Sequence, residues 1–283
     1  MSVLSDRDII RELGKGILFH PLKAGSINAC DLRLTASEYA YAIGLKQRLI
    51  IQSEPKKGNS VEEQKFFEIP PRDTALVWTD ESVYLSDYFR GPISSTVGLV
   101  SKGTGHIGTR VNPCWSGVLC VTIHNLSDNP LRINVRDVNR PIAYLAIDKL
   151  SSRTSINRNT DKPARLDVLS DLPPNKTEIH DYFNQREHSW MTGDTELLKK
   201  LMLDSEEYKK LTRGFFDTLL GLLGSDTQTR WTSVAAIGAI ISAIFAAMTY
   251  LKPPSLPSSN STTTTTPQTQ PQLRQTVSPN SPR

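Results

Sequence analysis

Lys102 and Arg110, in the stretch SKGTGHIGTR (101–110), are cationic donors of the kind that hold phosphate oxygens through charge-assisted hydrogen bonds. His106 and Trp115 lie close by in the chain. Each residue also has an ordinary role open to it: a solvated loop charge for Lys102, a loop position for His106, a core side chain for Trp115. Acid–base chemistry would need a carboxylate placed to move a proton, and Asp80, Glu81, Asp128 and Asp137 are available on neighbouring segments. Zinc chemistry has no support, because His20, His106, His124, His180 and His188 lack ligand spacing and Cys30, Cys114 and Cys120 form no CxxC. The His180–Asp181 dipeptide could suggest a metal-dependent hydrolase, but it stands in a polar stretch where a surface pair is the commoner case.

These groups must be carried by a β-rich region. From about residue 17 to 150, short β-prone runs (ILF, DLRL, RLIIQ, ALVW, GVLCVTI, RINV, IAYLAI) alternate with Gly, Pro, Asn and Asp turns. That is the pattern of a mainly β barrel or double-sheet roll. A short helix precedes it: Ser5 and Asp8 make an S-x-x-D start signal, and Gly14 is placed to stop it. Residues 151–193 are polar and rich in turns, which suggests a poorly structured arm. Residues 194–224 show an amphipathic helical spacing (Leu197, Leu201, Tyr208, Leu211, Phe215, Leu219, Leu222), suited to a stalk packing on copies of itself or to a membrane interface. The tail 252–283 is Pro/Ser/Thr/Gln low complexity and is expected to be disordered.

Between them, WTSVAAIGAIISAIFAAMTYL (231–251) is an uncharged apolar run. At about 20 residues and 1.5 Å per residue it is long enough to cross a hydrocarbon core of about 30 Å. Trp231 and Tyr250 stand at its ends, where amphipathic rings favour the interface. Small residues fall on two faces, Ala235, Ala239, Ala243, Ala247 and Gly238, Ser242, Ala246, so neighbouring helices could approach closely. The expectation is a single-pass membrane helix. No apolar signal segment opens the chain and the cysteines suggest no disulfide framework, so residues 1–230 are expected in the cytoplasm. The net charge of +4, from 33 basic and 29 acidic residues well mixed, is too mild to suggest a nucleic-acid partner.

Two stretches together resemble the dCTP deaminase and dUTPase superfamily. LSDRDII…GILFHPL…INACDLRL (4–34) is similar to the N-terminal region of dCTP deaminases, and RVNPCWSGVLCVTIHNLSDNPLRINVRDVNRPIAYLAIDKL (110–150) to the superfamily's shared C-terminal half. GLVSKG (98–103) looks like a worn form of its Ser-rich nucleotide-binding segment. The resemblance covers about residues 4–150. It implies a distorted β-roll, a homotrimer with sites between subunits, and a pyrimidine deoxynucleotide ligand carrying Mg²⁺ on its triphosphate. This deaminase family works without zinc, and the H-x-E…P-C-x-x-C signature of zinc deaminases is absent.

The chemistry implied by the resemblance is missing from this chain. The family glutamate that moves the proton falls at Thr122, and the dUTPase aspartate that activates water falls at Asn112. Neither a hydroxyl nor an amide is basic near neutral pH. The family's Ser and Arg supports fall at Val97 and Ser101. Scaffold positions persist at Pro113, Trp115, Gly117, Asn125 and Ala143. Losing a general base costs about 10²–10⁴ in rate. The expectation is therefore a catalytically degenerate, membrane-anchored, trimeric nucleotide-binding protein, with Asp31 (the match to the dUTPase family's first-motif aspartate), Lys102, His106, Arg110, Asn112, Trp115 and Thr122 as candidate binding residues. The competing readings are an active deaminase or dUTP diphosphatase using a displaced acid, and a non-catalytic membrane scaffold.

Overall fold

A computed structural model describes residues 2–56, 59–105, 108–155 and 193–222, with Tyr182 and Met191. The chain divides into a compact unit Met1–Gly221 and a second unit Leu222–Arg283. The apolar run 231–251 and the tail lie outside the described residues, and so do His106 and most of the arm. Among the described residues no helix is long and apolar enough to cross a membrane.

The fold is mainly β, and its strand pairs are antiparallel. One sheet has seven strands: β1 (Ser2–Val3), β16 (Asp148–Lys149), β10 (Phe89–Ser95), β15 (Ala143–Ala146), β4 (Asp31–Leu34) and β3 (Ile27–Asn28) in that order, with β12 (Thr109–Val111) also on β10. The second has six: β11 (Thr104–Gly105), β13 (Ser116–Asn125), β9 (Thr74–Leu85), β5 (Ala36–Ala42) and β6 (Gln47–Arg48), with β2 (Ile17–His20) also on β9. A third sheet joins β14 (Leu131–Asn134), β8 (Asn59–Ile69) and β7 (Gln52–Lys56).

Alternation on β13 divides the apolar residues between two clusters. Leu119, Val121 and Ile123 enter the main core, with Leu32, Leu34, Phe67, Ile69, Val77 and Leu145 among their companions. Val118 and Cys120 face a second cluster with Tyr39, Tyr41, Leu76 and Trp78, which the arm residues Tyr182 and Met191 complete. Ser116 Oγ donates to Gly193 O at 2.7 Å and holds the end of the arm beside β13. Close packing between strands fixes some residue types: a Cβ at Gly91 would stand 2.5 Å from Leu145 Cδ1. The first helix, α1 (Asp6–Glu12), has the expected capping box between Ser5 and Asp8, and Gly14 follows at φ +80°.

The helical segment differs from expectation. In place of one amphipathic helix over 194–224 there are two, α3 (Thr195–Asp204) and α4 (Glu206–Leu222), separated at Ser205. α3 packs on β2, and Leu198 and Met202 are fully buried in the main core. Met202 Sδ accepts the Phe19 N–H at 3.4 Å. The buried stripe is shifted by one residue from Leu197 and Leu201, which stay half-buried. This helix is part of the β domain rather than a stalk.

A polar seam lies in the middle of β9. Pairing with β5 reaches Thr79 and pairing with β2 starts at Ser82, so Asp80 and Glu81 stand where the strand changes neighbours. On the other edge the β13 register jumps between Val118 and Cys120. Thr79 Oγ1 bridges that irregularity, accepting from Leu119 N at 2.9 Å and donating to Glu81 O at 2.7 Å. Both acids are fully buried. Lys23 Nζ meets Asp80 Oδ2 at 2.9 Å and Glu81 Oε1 at 3.8 Å, and Arg136 Nε donates to Asp80 Oδ1 at 2.9 Å. Thr35 donates its N–H to Glu81 Oε2 at 2.8 Å and its hydroxyl to Oε1 at 2.6 Å.

Burial, then the adjacent Asp80 charge, push the Glu81 carboxyl up to about 7, against the opposing pull of Lys23 and Thr35. His20, on the same strand as the β2 end of the seam, is pushed down to about 4 by burial, with Asp80 acting the other way.

Two outcomes follow from this packing. Leu198→Ala is expected to cost about 2–5 kcal/mol in urea unfolding; a near-zero loss would return α3 to the status of an appendage. For Glu81 the folded state keeps a proton that the unfolded chain, with its ordinary value of 4.5, has released. Its contribution to stability is therefore fully present below about pH 4.5 and is lost as pH rises to about 7. His20 has the opposite sign, adding stability as pH rises from about 4 towards 6.5. The unfolding midpoint of Glu81→Gln compared with the parent at pH 5 and pH 7.5 isolates the first contribution, and the variant is expected to lose less stability over that interval.

Candidate functional site

The described surface holds a cavity of about 390 Å³ under the short helix α2 (Val97–Val100). Leu99 and Lys102 come from α2 and its exit, Ile133 and Asn134 from β14, and Asn139, Arg140, Pro141 and Ile142 from the turn that enters β15. Local chemistry sets these segments. Thr96 caps α2, its hydroxyl accepting from Leu99 N at 3.3 Å. Asp137 organises the turn: Oδ2 accepts from Asn134 Nδ2 at 2.9 Å and Oδ1 from Asn139 N at 3.0 Å.

The charges on this cavity are of two kinds. Arg132 is committed: Glu54 holds both ends of its guanidinium, one at 2.8 Å, and the plane lies 3.7 Å from the Phe66 ring centroid. Lys102 and Arg140 are exposed and have no acidic partner among the described residues. Leu99, Ile133, Pro141, Ile142 and Tyr144 supply the apolar wall, and no carboxylate of the described residues lines the cavity. Two uncommitted cations, side-chain amides and an apolar wall together suit a ligand with an anionic group and a planar or apolar body. The residues present do not fit a protein-held Mg²⁺, since hard divalent ions take carboxylate oxygens; a metal here would arrive on the ligand's own phosphates.

Of the described residues expected from sequence, Lys102 lines this cavity and the others do not. Asp31 lies on β4 opposite Ala146, and Cys30 Sγ donates to it at 3.7 Å. Arg110 is exposed on β12 opposite Pro92. Asn112 is in the turn before β13, its carbonyl accepting from Trp115 N at 3.2 Å. Trp115 is a core residue, 7% exposed, its indole N–H buried without an acceptor among the described residues. Thr122 is half-buried on β13 opposite Leu76 of the second apolar cluster. His106 is outside the described residues, as are the membrane-helix positions Ala235, Gly238, Ala239, Ser242, Ala243, Ala246 and Ala247.

The available acids divide in the same way. Asp128 pairs with Arg72 at 2.8 Å on the exposed surface, Asp137 organises its turn, and Asp80 and Glu81 are sealed in the seam. Glu81 titrates near neutrality, but both its oxygens are taken by Thr35 and it lines none of the cavities described. Sequence reasoning missed Arg132, Asn134, Asn139 and Arg140. Their signal was the run RINVRDVNRP, in which three arginines and three Asn/Asp residues crowd a predicted strand and turn.

No protein-family model matches the chain. A dCTP deaminase of Pyrococcus furiosus is 26% identical over 137 residues, 48% of this chain and 80% of that protein. Among solved structures, a dCTP deaminase from Agrobacterium tumefaciens aligns with a TM-score of 0.37 and 12% identity, covering 51% of this chain and 47% of that one. A dUTPase of Staphylococcus bacteriophage 80alpha aligns with a TM-score of 0.27 and 15% identity, covering 37% of this chain and 93% of that one. Over about half its length, then, the chain is weakly similar in sequence to dCTP deaminases.

Proposed function

We propose that this chain is a membrane-anchored, catalytically degenerate relative of the dCTP deaminases that binds a pyrimidine deoxynucleotide and does not turn it over. The observation that carries the reading is the cavity under α2, where Lys102 and Arg140 present cations with no acidic partner among the described residues beside the apolar wall of Ile133, Pro141 and Ile142. A phosphate there gains charge-assisted hydrogen bonds without breaking an ion pair to any described residue. The base would lie against the apolar wall and Tyr144. Mg²⁺ would accompany the triphosphate as part of the ligand.

Loss of turnover follows from the residues at the matched catalytic positions. Thr122 and Asn112 have no basicity, and the buried Glu81 is bonded on both oxygens. The trimer and the C-terminal anchor complete the proposal: relatives of this fold class give the first its plausibility, and the length and uncharged character of 231–251 support the second. Residues 1–230 are proposed to face the cytoplasm.

Calorimetric titration of the detergent-solubilised chain with dCTP, dUTP and dTTP in Mg²⁺ tests the binding reading. Lys102→Ala and Arg140→Ala are each expected to weaken binding about tenfold, the worth of one charge-assisted hydrogen bond. Product formation from dCTP or dUTP in the same samples would place the protein among the enzymes instead. For the anchor, a chain ending at residue 224 should float free of liposomes while the full chain co-sediments with them; equal partitioning of both would remove the membrane from the proposal.

A further inference from the structure

One stretch of chain supplies much of the wall of the cavity under α2. Asn134 ends β14, and Asn139, Arg140, Pro141 and Ile142 form the turn that leads into β15. The residues between them, 135–138, stay out of the cavity lining. Those residues nevertheless decide where the Arg140 guanidinium stands, because the exposed Arg140 has no acidic partner among the described residues to fix it.

The two ends of the stretch are tied by the backbone. Val135 N donates to Lys65 O at 2.9 Å and Ile142 N to Leu34 O at 2.8 Å. Within the turn, Asp137 closes the chain on itself: its carboxylate accepts from Asn134 Nδ2 and Asn139 N, and its carbonyl from Arg140 N at 3.0 Å. Arg33 adds a long contact, Nη1 to Val138 O at 3.4 Å. The firm side-chain tie from this turn to the body of the domain is Arg136. Its Nε donates to Asp80 Oδ1 at 2.9 Å, its Nη1 lies 3.2 Å from Glu38 Oε1, and its backbone N–H donates to Ala36 O at 2.9 Å.

Two features mark that tie as an anchor for the turn. Arg136 holds a left-handed backbone, φ +55°, which a non-glycine residue keeps where its contacts fix it there. The pair is also one-sided. The Asp80 side chain is 1% exposed and is held from its other oxygen by Lys23 at 2.9 Å, whereas the Arg136 side chain is 38% exposed. A fixed buried acid therefore grips a cation on a surface turn, and removing Arg136 leaves Asp80 with Lys23. Arg136 does not line the cavity under α2; with Asn139 and Arg140 it borders a neighbouring hollow of about 500 Å³.

We infer that Arg136, anchored on Asp80, is a positioning residue of the nucleotide site: it fixes the turn so that the Arg140 charge stands ready for phosphate, and it acts through Arg140 rather than by touching the ligand. This rests on the reading of the cavity as a nucleotide site and adds to it a residue outside the lining. Without the anchor the turn samples other conformations, and apparent affinity falls with the fraction of time the competent one is present.

Calorimetric titration of the detergent-solubilised full chain with dCTP and dUTP in Mg²⁺, run as a double-mutant cycle, tests this. Arg136→Ala is expected to weaken binding about tenfold, and the double variant with Arg140→Ala to bind hardly more weakly than Arg140→Ala alone, since no charge remains to be placed. Arg136→Lys, which keeps a cation for Asp80, should recover part of the loss. Thermal unfolding checks that each variant folds, and Arg136→Gln, which keeps the stem and a donor, carries the cycle if the alanine variant does not. Losses that add in the double variant would make Arg136 a direct ligand cation and overturn the inference. Unchanged affinity in a folded Arg136→Ala would overturn it too, and both results leave the nucleotide reading standing. Absence of binding by the parent chain, or binding indifferent to Arg140→Ala, would overturn both.

Discussion

The buried Asp80–Glu81 pair is the constraint from which the rest of the domain can be built. A strand that changes partners in mid-course leaves a gap where no single neighbour satisfies the backbone, and β9 makes that change between Thr79 and Ser82. Filling the gap with two acids requires cations from elsewhere, since an unpaired buried charge is far more costly than a paired one. Lys23 comes from the segment after β2, Thr35 from the link between β4 and β5, and Arg136 from the turn after β14. Three stretches far apart in sequence are thereby brought to one point. The last of them is the turn that continues into Asn139, Arg140, Pro141 and Ile142 of the candidate site, so the wall of that cavity depends on an ion pair outside its lining.

This arrangement gives the two sets of ionic groups separate tasks. The acids that hold the fold, Asp80 and Glu81, are buried and neutralised, while Lys102 and Arg140 are exposed and have no acidic partner among the described residues. Arg132 belongs to both sets: Glu54 locks it, and it also lines the cavity. Locking a guanidinium in the apo protein reduces the side-chain entropy lost on binding, which is a form of preorganisation. The same locking lowers what that guanidinium can gain from an anion. Free and locked cations on one wall thus suit a ligand whose single charged region is flanked by neutral polar and apolar parts.

Much of the framework was legible in the sequence. ALVW, GVLCVTI and DLRL lie in strands, as does the AYLA centre of IAYLAI, because the β-prone runs survive into the sheets. Asn125, a persistent scaffold position, turns out to donate to Ile69 O and Asn129 O while accepting from Ser127, which explains an amide at a buried turn. What failed did so for local reasons. β8 carries NSVEEQK, whose charges hide a strand that pairs on both edges, with β7 and β14. The run 194–224 has helical periodicity throughout, yet Ser205 accepts the Tyr208 N–H and starts a second helix, and tertiary packing chose Leu198 and Met202 over the stripe that periodicity favoured. The site was the least legible part. Whether an arginine is free or paired is decided by contacts across the sheet, as between Arg132 and Glu54, and no spacing rule contains that information.

The surroundings of Thr122, the residue that the resemblance sets against a family glutamate, bear on which side chains this position can hold. It lies opposite Leu76, and Leu76 belongs to the cluster of Tyr39, Trp78 and Val118 that Tyr182 and Met191 complete. Arg48 lies 4.9 Å from the Tyr39 ring and 5.4 Å from the Tyr182 ring, holding the arm residue on this sheet face with a cation on both aromatics. A carboxylate at residue 122 would have to keep its charge beside an apolar cluster, and a hydroxyl need not. With Tyr182 and Met191 packed on this face, a threonine is compatible with the packing, whereas desolvation would disfavour the ionised form of a carboxylate there.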